Sequence, residues 1–204
     1  MTSSDAPSET AEQTERPRRP KRWQAWAREM LVVIVIFAAV KAWQKRDLLP
    51  EGIPAPDVVM FDTEGRPHHL ADYAGKAVQL HVWATWGHVC TKEFGELAAL
   101  HRGNGEGEAL LAVAVHSGGP EALRAYAEEH SLEYPVFVGG DAFVEALQVD
   151  RYPTNYYVSP EGVITDTTVG FSTRLAMRHR LRRCLLYTSP SPRDATLSRM
   201  PSSA

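Results

Sequence analysis

A strand, a tryptophan-rich turn and a helix follow one another directly near the middle of the chain, and this succession constrains the fold more than any other feature. Residues 77–85 alternate apolar and polar side chains, a pattern typical of a β-strand. Beyond the turn, Cys90, Phe94 and Leu97 share one helical face. The sequence therefore predicts a strand over 77–85 that runs straight into a helix over 88–101.

The turn carries the segment Trp86-Gly87-His88-Val89-Cys90 to the N-terminus of that helix. A redox Cys-x-x-Cys pair is usually placed this way, because the free amides and the dipole of a helix N-terminus favour a thiolate. Here glycine occupies the first position, and only the second cysteine is present. Because Cys90 faces the core, we expect its thiol to be less accessible and less acidic than that of a nucleophile. Gly87 still suits a helix N-cap.

Length and composition favour one globular domain with appendages. The chain has 204 residues, of which 44% are hydrophobic, and this is enough to build a core. Its net charge of -3 gives no overall basic field, so nucleic acid is not predicted as a partner. The two cysteines, Cys90 and Cys184, lie too far apart in sequence for a disulfide to be inferred.

The N-terminal region predicts a tail followed by a membrane anchor. Residues 1–22 are too polar to bury a core, and we expect them to be disordered. The apolar run 30–40 predicts a single-pass transmembrane helix over 23–44, flanked by Trp23, Trp26 and Trp43. The basic residues before this run place the tail in the cytoplasm and the domain on the other side of the membrane.

Two other interpretations of the apolar run stay open. A basic region, a short apolar run and the possible cleavage site Val40-Lys41-Ala42 also describe a secretory signal peptide. A core helix of a soluble protein is the second alternative, and it would not export the domain. Residues 45–56 contain three prolines and predict a stiff linker that holds the domain away from the membrane.

The C-terminal residues 184–204 show no apolar periodicity and contain three prolines, so we expect them to be unstructured. They closely resemble the translation of a sequencing-library adapter followed by its primer. We therefore interpret them as a translation artefact and leave them out of the fold. On this interpretation Cys90 is the only native cysteine. The alternative is a genuine disordered tail.

Residues 57–183 alternate strands and helices, which predicts an α/β domain with a mixed central sheet flanked by helices. The patterns predict strands at 57–61, 77–85, 110–115, 134–138, 155–158 and 163–168. They predict helices at 88–101, 121–130, 142–149 and 172–183.

Two segments, GKAVQLHVWATWGHVC at 75–90 and DRYPTNYYVSPEG at 150–162, together with the layout between them, resemble the thioredoxin-like thiol-disulfide oxidoreductases. Within the TlpA-like redoxins, Arg28-Glu29 and VGFS at 169–172 further resemble the suppressor-for-copper-sensitivity D type. The resemblance implies a thioredoxin-like fold, no cofactor, and a domain that faces the periplasm from the bacterial inner membrane. It also implies periplasmic protein thiols and disulfides as partners.

The same resemblance assigns roles to individual residues. It implies a nucleophilic cysteine at the position of Gly87 and a resolving role for Cys90. It implies a cis peptide bond before Pro153, with the backbone of Tyr152 free to pair with an extended substrate peptide. An ordinary trans proline is the alternative. The predicted substrate-binding surface is completed by Trp86, His88 and Val89.

Three functions stay open at this point. In the first, the degenerate Gly-x-x-Cys site cannot catalyse dithiol exchange and acts as a peptide-binding or monothiol module. In the second, the protein is an active oxidoreductase, either because Gly87 is a sequence error or because Cys90 acts alone. The third is copper binding through His88 and Cys90, but no four ligands come together at a recognisable spacing, so no metal site is predicted.

Overall fold

The computed structural model describes residues 22–187, and the chain divides into two units after Lys41. Helix α1 (Arg22–Lys45) begins in the first unit and covers the predicted anchor 23–44. Its apolar run from Met30 to Val40 is exposed. Within the described part of the chain, no helix is both long enough and apolar enough to cross a membrane.

The second unit is built around one seven-stranded sheet with the strand order β2-β1-β5-β4-β3-β6-β7. Strands β3, β4 and β5 run parallel, and the other neighbouring pairs are antiparallel, so the sheet is mixed as predicted. The strands are β1 Val59–Phe61, β2 Pro67–His69, β3 Ala77–Trp83, β4 Glu108–Val115, β5 Val136–Gly139, β6 Thr154–Val158 and β7 Ile164–Val169.

Helices cover both faces of this sheet. They are a 3-10 turn at Leu70–Tyr73 and the helices α2 His88–Thr91, α3 Phe94–Arg102, α4 Pro120–Glu129, α5 Asp141–Ala146 and α6 Arg174–Leu185. One buried apolar cluster contains Leu80 and Phe143. A second contains Trp83, Leu97 and Met177. The helices and sheet together form the α/β arrangement that the sequence pattern predicts and the thioredoxin-like fold that the resemblance implies.

The central strand β3 is buried along its whole length, including the polar positions of its alternating pattern. A central strand with parallel and antiparallel neighbours and helices on both sides has no face left for solvent. Its polar side chains are hydrogen-bonded instead. Asn155 Oδ1 accepts from Gln79 Nε2 at 2.8 Å and lies 2.9 Å from His81 Nδ1.

The single helix predicted over 88–101 is in fact two helices, α2 and α3, separated by Lys92 and Glu93. Glu93 N donates to Cys90 O, three residues back, at 3.0 Å, so the regular four-residue ladder is interrupted there. The Glu93 side chain is buried at this break.

The segment predicted as a spacer at 45–56 lies against the domain instead. Leu48 is only 5% exposed and belongs to the apolar core. Gly52 N donates to Ile164 O at 2.8 Å, and Ile164 N donates to Ile53 O at 2.9 Å. Because its apolar side chains and backbone find partners at the β7 edge, this segment is part of the fold rather than a linker.

The last helix also continues two residues beyond the predicted boundary at 183. Cys184 is fully buried beside Ala77, Tyr157 and Leu181. The spacing of Met177, Leu181 and Cys184 keeps one helical face buried past that boundary. The predictions for residues 1–21 and 188–204 lie outside the described residues.

Candidate functional site

The turn that follows β3 is held by two neighbouring elements. Thr85 N donates to Ser117 Oγ at 3.0 Å, just beyond the end of β4. Tyr126 Oη, on α4, donates to Thr85 O at 3.2 Å. Gly87 N donates to Ala84 O at 3.0 Å and closes the turn. The chain therefore enters α2 in a fixed conformation.

Gly87 is the N-cap of α2, with extended backbone angles φ -81° and ψ 103° that any residue can adopt. A Cβ atom built on Gly87 would lie 3.6 Å from Cys90 Cβ and 2.8 Å from Cys90 Sγ. Cβ atoms joined by a disulfide are roughly 3.5–4.5 Å apart. Position 87 therefore has the spacing of a disulfide partner for Cys90, although its glycine has no sulfur.

Cys90 is fully buried, in the apolar cluster with Trp83 and Leu97. Burial raises the pKa of its thiol, and the nearby Glu93 carboxyl raises that pKa further. These observations confirm the expectation of a less accessible and less acidic thiol. As it stands, the Cys90 side chain is not poised as a nucleophile.

Glu93 is a feature of the site that sequence analysis missed. Its Oε1 accepts from Ser172 N at 2.6 Å, while its Oε2 has no hydrogen-bond partner in residues 22–187. Burial raises the pKa of this carboxyl to about 8, so it is mostly protonated at neutral pH. The only signal in the sequence is a glutamate three residues after Cys90, and acidic residues at such positions are usually exposed.

His81 faces Glu93 across a buried gap, with 4.0 Å between His81 Nε2 and Glu93 Oε2. The accepting oxygen of Asn155 assigns the proton of the neutral imidazole to Nδ1. Burial lowers the pKa of His81 to about 4. A neutral histidine beside a protonated glutamate keeps this part of the core without net charge at neutral pH.

The residues predicted to face substrate lie on the surface around Gly87. Trp86 is 61% exposed, Val89 is 42% exposed and His88 is exposed. The Trp86 ring makes an edge contact with the Tyr152 ring, with 5.8 Å between the ring centroids. The Tyr152 ring also makes an edge contact with the His116 ring, with 6.2 Å between the ring centroids. The fold therefore brings Trp86 and Tyr152 together from distant parts of the sequence.

Pro153 is buried, and the Tyr152-Pro153 peptide bond is cis, as the resemblance implies. Pro153 O accepts from Gly170 N at 2.8 Å. The main-chain N–H and C=O of Tyr152 have no hydrogen-bond partner among the described residues. An unpaired main chain beside an apolar surface is suited to pairing with another extended strand.

The structure does not assemble the copper site considered above. His88 is exposed and Cys90 is fully buried, so the two side chains lie in different environments. No group of three or more histidine, cysteine, aspartate or glutamate side chains in the range 22–187 could hold a metal ion.

Comparison with known proteins places this architecture in a family. The AhpC/TSA family model matches residues 52–167, more than half of the chain. The thioredoxin-like protein YneN of Bacillus subtilis is 30% identical over 155 residues, which cover 74% of this chain and 91% of YneN. The thiol-disulfide oxidoreductase ResA of the same organism is 31% identical over 130 residues, which cover 63% of this chain and 72% of ResA.

Solved structures show the same fold. A putative thiol-disulfide oxidoreductase from Bacteroides vulgatus superposes with a TM-score of 0.59 at 26% identity, over 67% of this chain and 98% of that chain. A thiol:disulfide interchange protein from Chlorobium tepidum gives the same TM-score at 19% identity, over 67% of this chain and 99% of that chain, and supports the fold alone. The chain therefore belongs to the AhpC/TSA family, among its thioredoxin-like thiol-disulfide oxidoreductases.

Proposed function

We propose that this protein is a degenerate member of its family, which binds extended peptide segments beside Tyr152 and does not catalyse dithiol exchange. The proposal depends on the glycine at position 87. A cysteine there would lie at the right distance to form a disulfide with Cys90, but glycine has no sulfur. Exchange requires an accessible thiolate that attacks and a second thiol that resolves the mixed disulfide. Cys90 alone, buried and with a raised pKa, supplies neither an attacking thiolate nor a partner.

The surface around Gly87 supports a binding role. Trp86 and Val89 are exposed apolar side chains beside the unpaired main chain of Tyr152. Main-chain hydrogen bonds would supply affinity for an extended segment, and the apolar side chains would select what lies against them. ResA is by name a thiol-disulfide oxidoreductase, and protein thiols and disulfides are the partners we propose for this chain as well.

A peptide-binding measurement tests this role. The probe is a reduced, carboxymethylated protein, which is extended and offers no thiol or disulfide. We expect it to bind and to slow hydrogen exchange at the Tyr152 amide. Val89→Ser should weaken binding, because it removes an apolar contact. The matched control Val59→Ser should not, because Val59 is similarly exposed but lies on β1, three strands away from β3 in the sheet. Equal binding by both variants would contradict the proposed surface.

An active oxidoreductase is the second candidate, and one observation favours it. The 3.6 Å separation between a Cβ at position 87 and Cys90 Cβ is the separation that a disulfide needs. If the gene carries a cysteine codon at position 87, which differs from a glycine codon by one base, the site is complete. Resequencing that codon and the 3′ end of the reading frame separates the two candidates. The same experiment tests our interpretation of residues 184–204 as adapter sequence.

We also propose that α1 holds the protein at the bacterial inner membrane, with the domain in the periplasm. The support comes from sequence: an apolar run, flanking tryptophans and a basic region before them. Reporter fusions test this topology, and reporter activity of a C-terminal fusion in the cytoplasm would contradict it. The suppressor-for-copper-sensitivity D subtype likewise stays a proposal based on short sequence segments.

A further inference from the structure

Helix α6 is unusually basic for a helix packed on a domain. It carries five arginines and one histidine and no acidic residue. Its buried face is apolar and consists of Met177, Leu181 and Cys184. The positive charge therefore lies on the sides and on the outer surface of the helix.

Two of these arginines form hydrogen bonds within the domain. Arg178 Nη1 donates to Gly103 O at 2.6 Å, and Arg180 Nε donates to Asp166 Oδ2 at 2.9 Å. The side chains of Arg174, Arg182 and Arg183 form no ion pair with any described residue. These three cations are available to an external partner.

The outer face of α6 comprises Leu175, His179, Arg182 and Arg183, which recur at helical spacing opposite the buried face. All four are exposed. Leu175 is 79% exposed, and Phe171, just before the helix, is also exposed. Leu175 thus shares one exposed helix face with Arg182 and Arg183.

This combination matches the interface of an anionic lipid bilayer. Arginines can contact lipid phosphates while neighbouring leucine and phenylalanine side chains enter the acyl boundary. A convex helix face with a projecting leucine needs no shaped partner to receive it. An acidic protein would have to supply both a complementary groove and carboxylates. The charge and the exposed apolar side chains therefore favour a membrane surface over a protein.

We propose that the outer face of α6 docks the domain onto the surface of an anionic phospholipid bilayer. This contact is independent of the redox chemistry at Gly87 and of any insertion of α1. It would fix the orientation of the domain on the membrane, a task that a single tethering helix does not perform.

The test uses the full chain with an environment-sensitive fluorophore on His179→Cys, since the thiols of Cys90 and Cys184 are both buried. The protein is reconstituted with vesicles of phosphatidylcholine alone or with added phosphatidylglycerol. We expect a blue shift of the label only when phosphatidylglycerol is present. A label on Glu145→Cys, in α5 against the other core cluster, should not respond.

Charge-removal variants sharpen the test. At about 1 kcal/mol for each arginine near an anionic surface, Arg182→Gln/Arg183→Gln should lower the ratio of docked to undocked protein about thirty-fold. The pair Arg102→Gln/Arg124→Gln removes the same charge from α3 and α4, where the two exposed side chains bond to Glu133 and to Thr63 O, and it should leave the ratio unchanged. The same shift with both kinds of vesicle, no shift at all, or a stronger response to added polyglutamate than to phosphatidylglycerol would each overturn the proposal.

Discussion

At the scale of single residues, the site is defined by the relation between Gly87 and Cys90. Gly87 is not required by its backbone conformation, which is extended and open to any residue. Its lack of a Cβ instead gives room to the Cys90 sulfur, which lies within 2.8 Å of where that atom would stand. Any side chain at position 87 must either displace this sulfur or bond to it.

This relation predicts a coupling between the two positions. Gly87→Ala should lower the free energy of unfolding by about 1 kcal/mol more in the presence of Cys90 than in a Cys90→Ala background, because the sulfur crowds the added methyl most closely, while Ala84 O, at 3.2 Å, is present in both backgrounds. Urea unfolding of the four proteins measures the difference. If Gly87→Ala lowers the free energy of unfolding equally in both backgrounds, the Cys90 sulfur does not occupy the space beside position 87.

Glu93 predicts an unusual dependence of stability on pH. Its folded pKa is raised to about 8 from 4.5, so between these values the unfolded state loses a proton that the folded state keeps, and stability falls as pH rises. The folded pKa of His81 is lowered from 6.5 to about 4, so its contribution rises with pH between those values. The two effects oppose each other at acidic pH.

Between pH 6.5 and 8 the His81 contribution is complete and Glu93 dominates the pH dependence among the described groups. The free energy of unfolding should fall there by roughly 1 kcal/mol per pH unit. Glu93→Gln keeps an oxygen for the Ser172 amide and removes the titration, so its profile should be flat in this window. A Glu93→Gln profile that falls as steeply as that of the unchanged protein would assign the slope to another group.

At the scale of secondary-structure elements, the segment between α1 and the sheet is part of the domain. Leu48→Ala should lower the free energy of unfolding by about 2–4 kcal/mol, because it opens a cavity in the core. Leu175→Ala, at an exposed position, provides the matched control and should change stability by less than about 0.5 kcal/mol. If Leu48→Ala is as stable as this control, the segment is the stiff linker that its prolines predict.

Local sequence patterns predicted where most helices and strands lie, but they did not predict every helix and strand boundary. Apolar periodicity located β3, β4 and α4 closely, since their buried faces are continuous. It could not reveal the break between α2 and α3, because that break follows from burial of Glu93 against Ser172, which is distant in sequence. Nor could it reveal that the polar side chains of Gln79 and His81 share one hydrogen-bonding partner, Asn155, in the core.

At the scale of the whole molecule, the mixed sheet with flanking helices was predictable from the order of strands and helices, and the resemblance identified the site. The sequence motif located Gly87 and Cys90, and the resemblance implied the cis bond before Pro153. The contacts of Trp86 with Tyr152, and of Tyr152 with His116, depend on how distant loops meet at one end of the sheet. Such contacts have no local signature in a single sequence.

We propose that this protein retains the fold of a thiol-disulfide oxidoreductase without its nucleophile. The most direct test measures the turnover of insulin disulfides in the presence of excess dithiol. The protein as written should reduce no more insulin than a Cys90→Ser control. In Gly87→Cys, the new cysteine should form a disulfide with Cys90, and closure of this short loop should raise the free energy of unfolding by about 2 kcal/mol. This variant should reduce insulin over many turnovers. Multiple turnovers by the unchanged protein, lost in Cys90→Ser, would contradict this account and make Cys90 an accessible, acidic thiol.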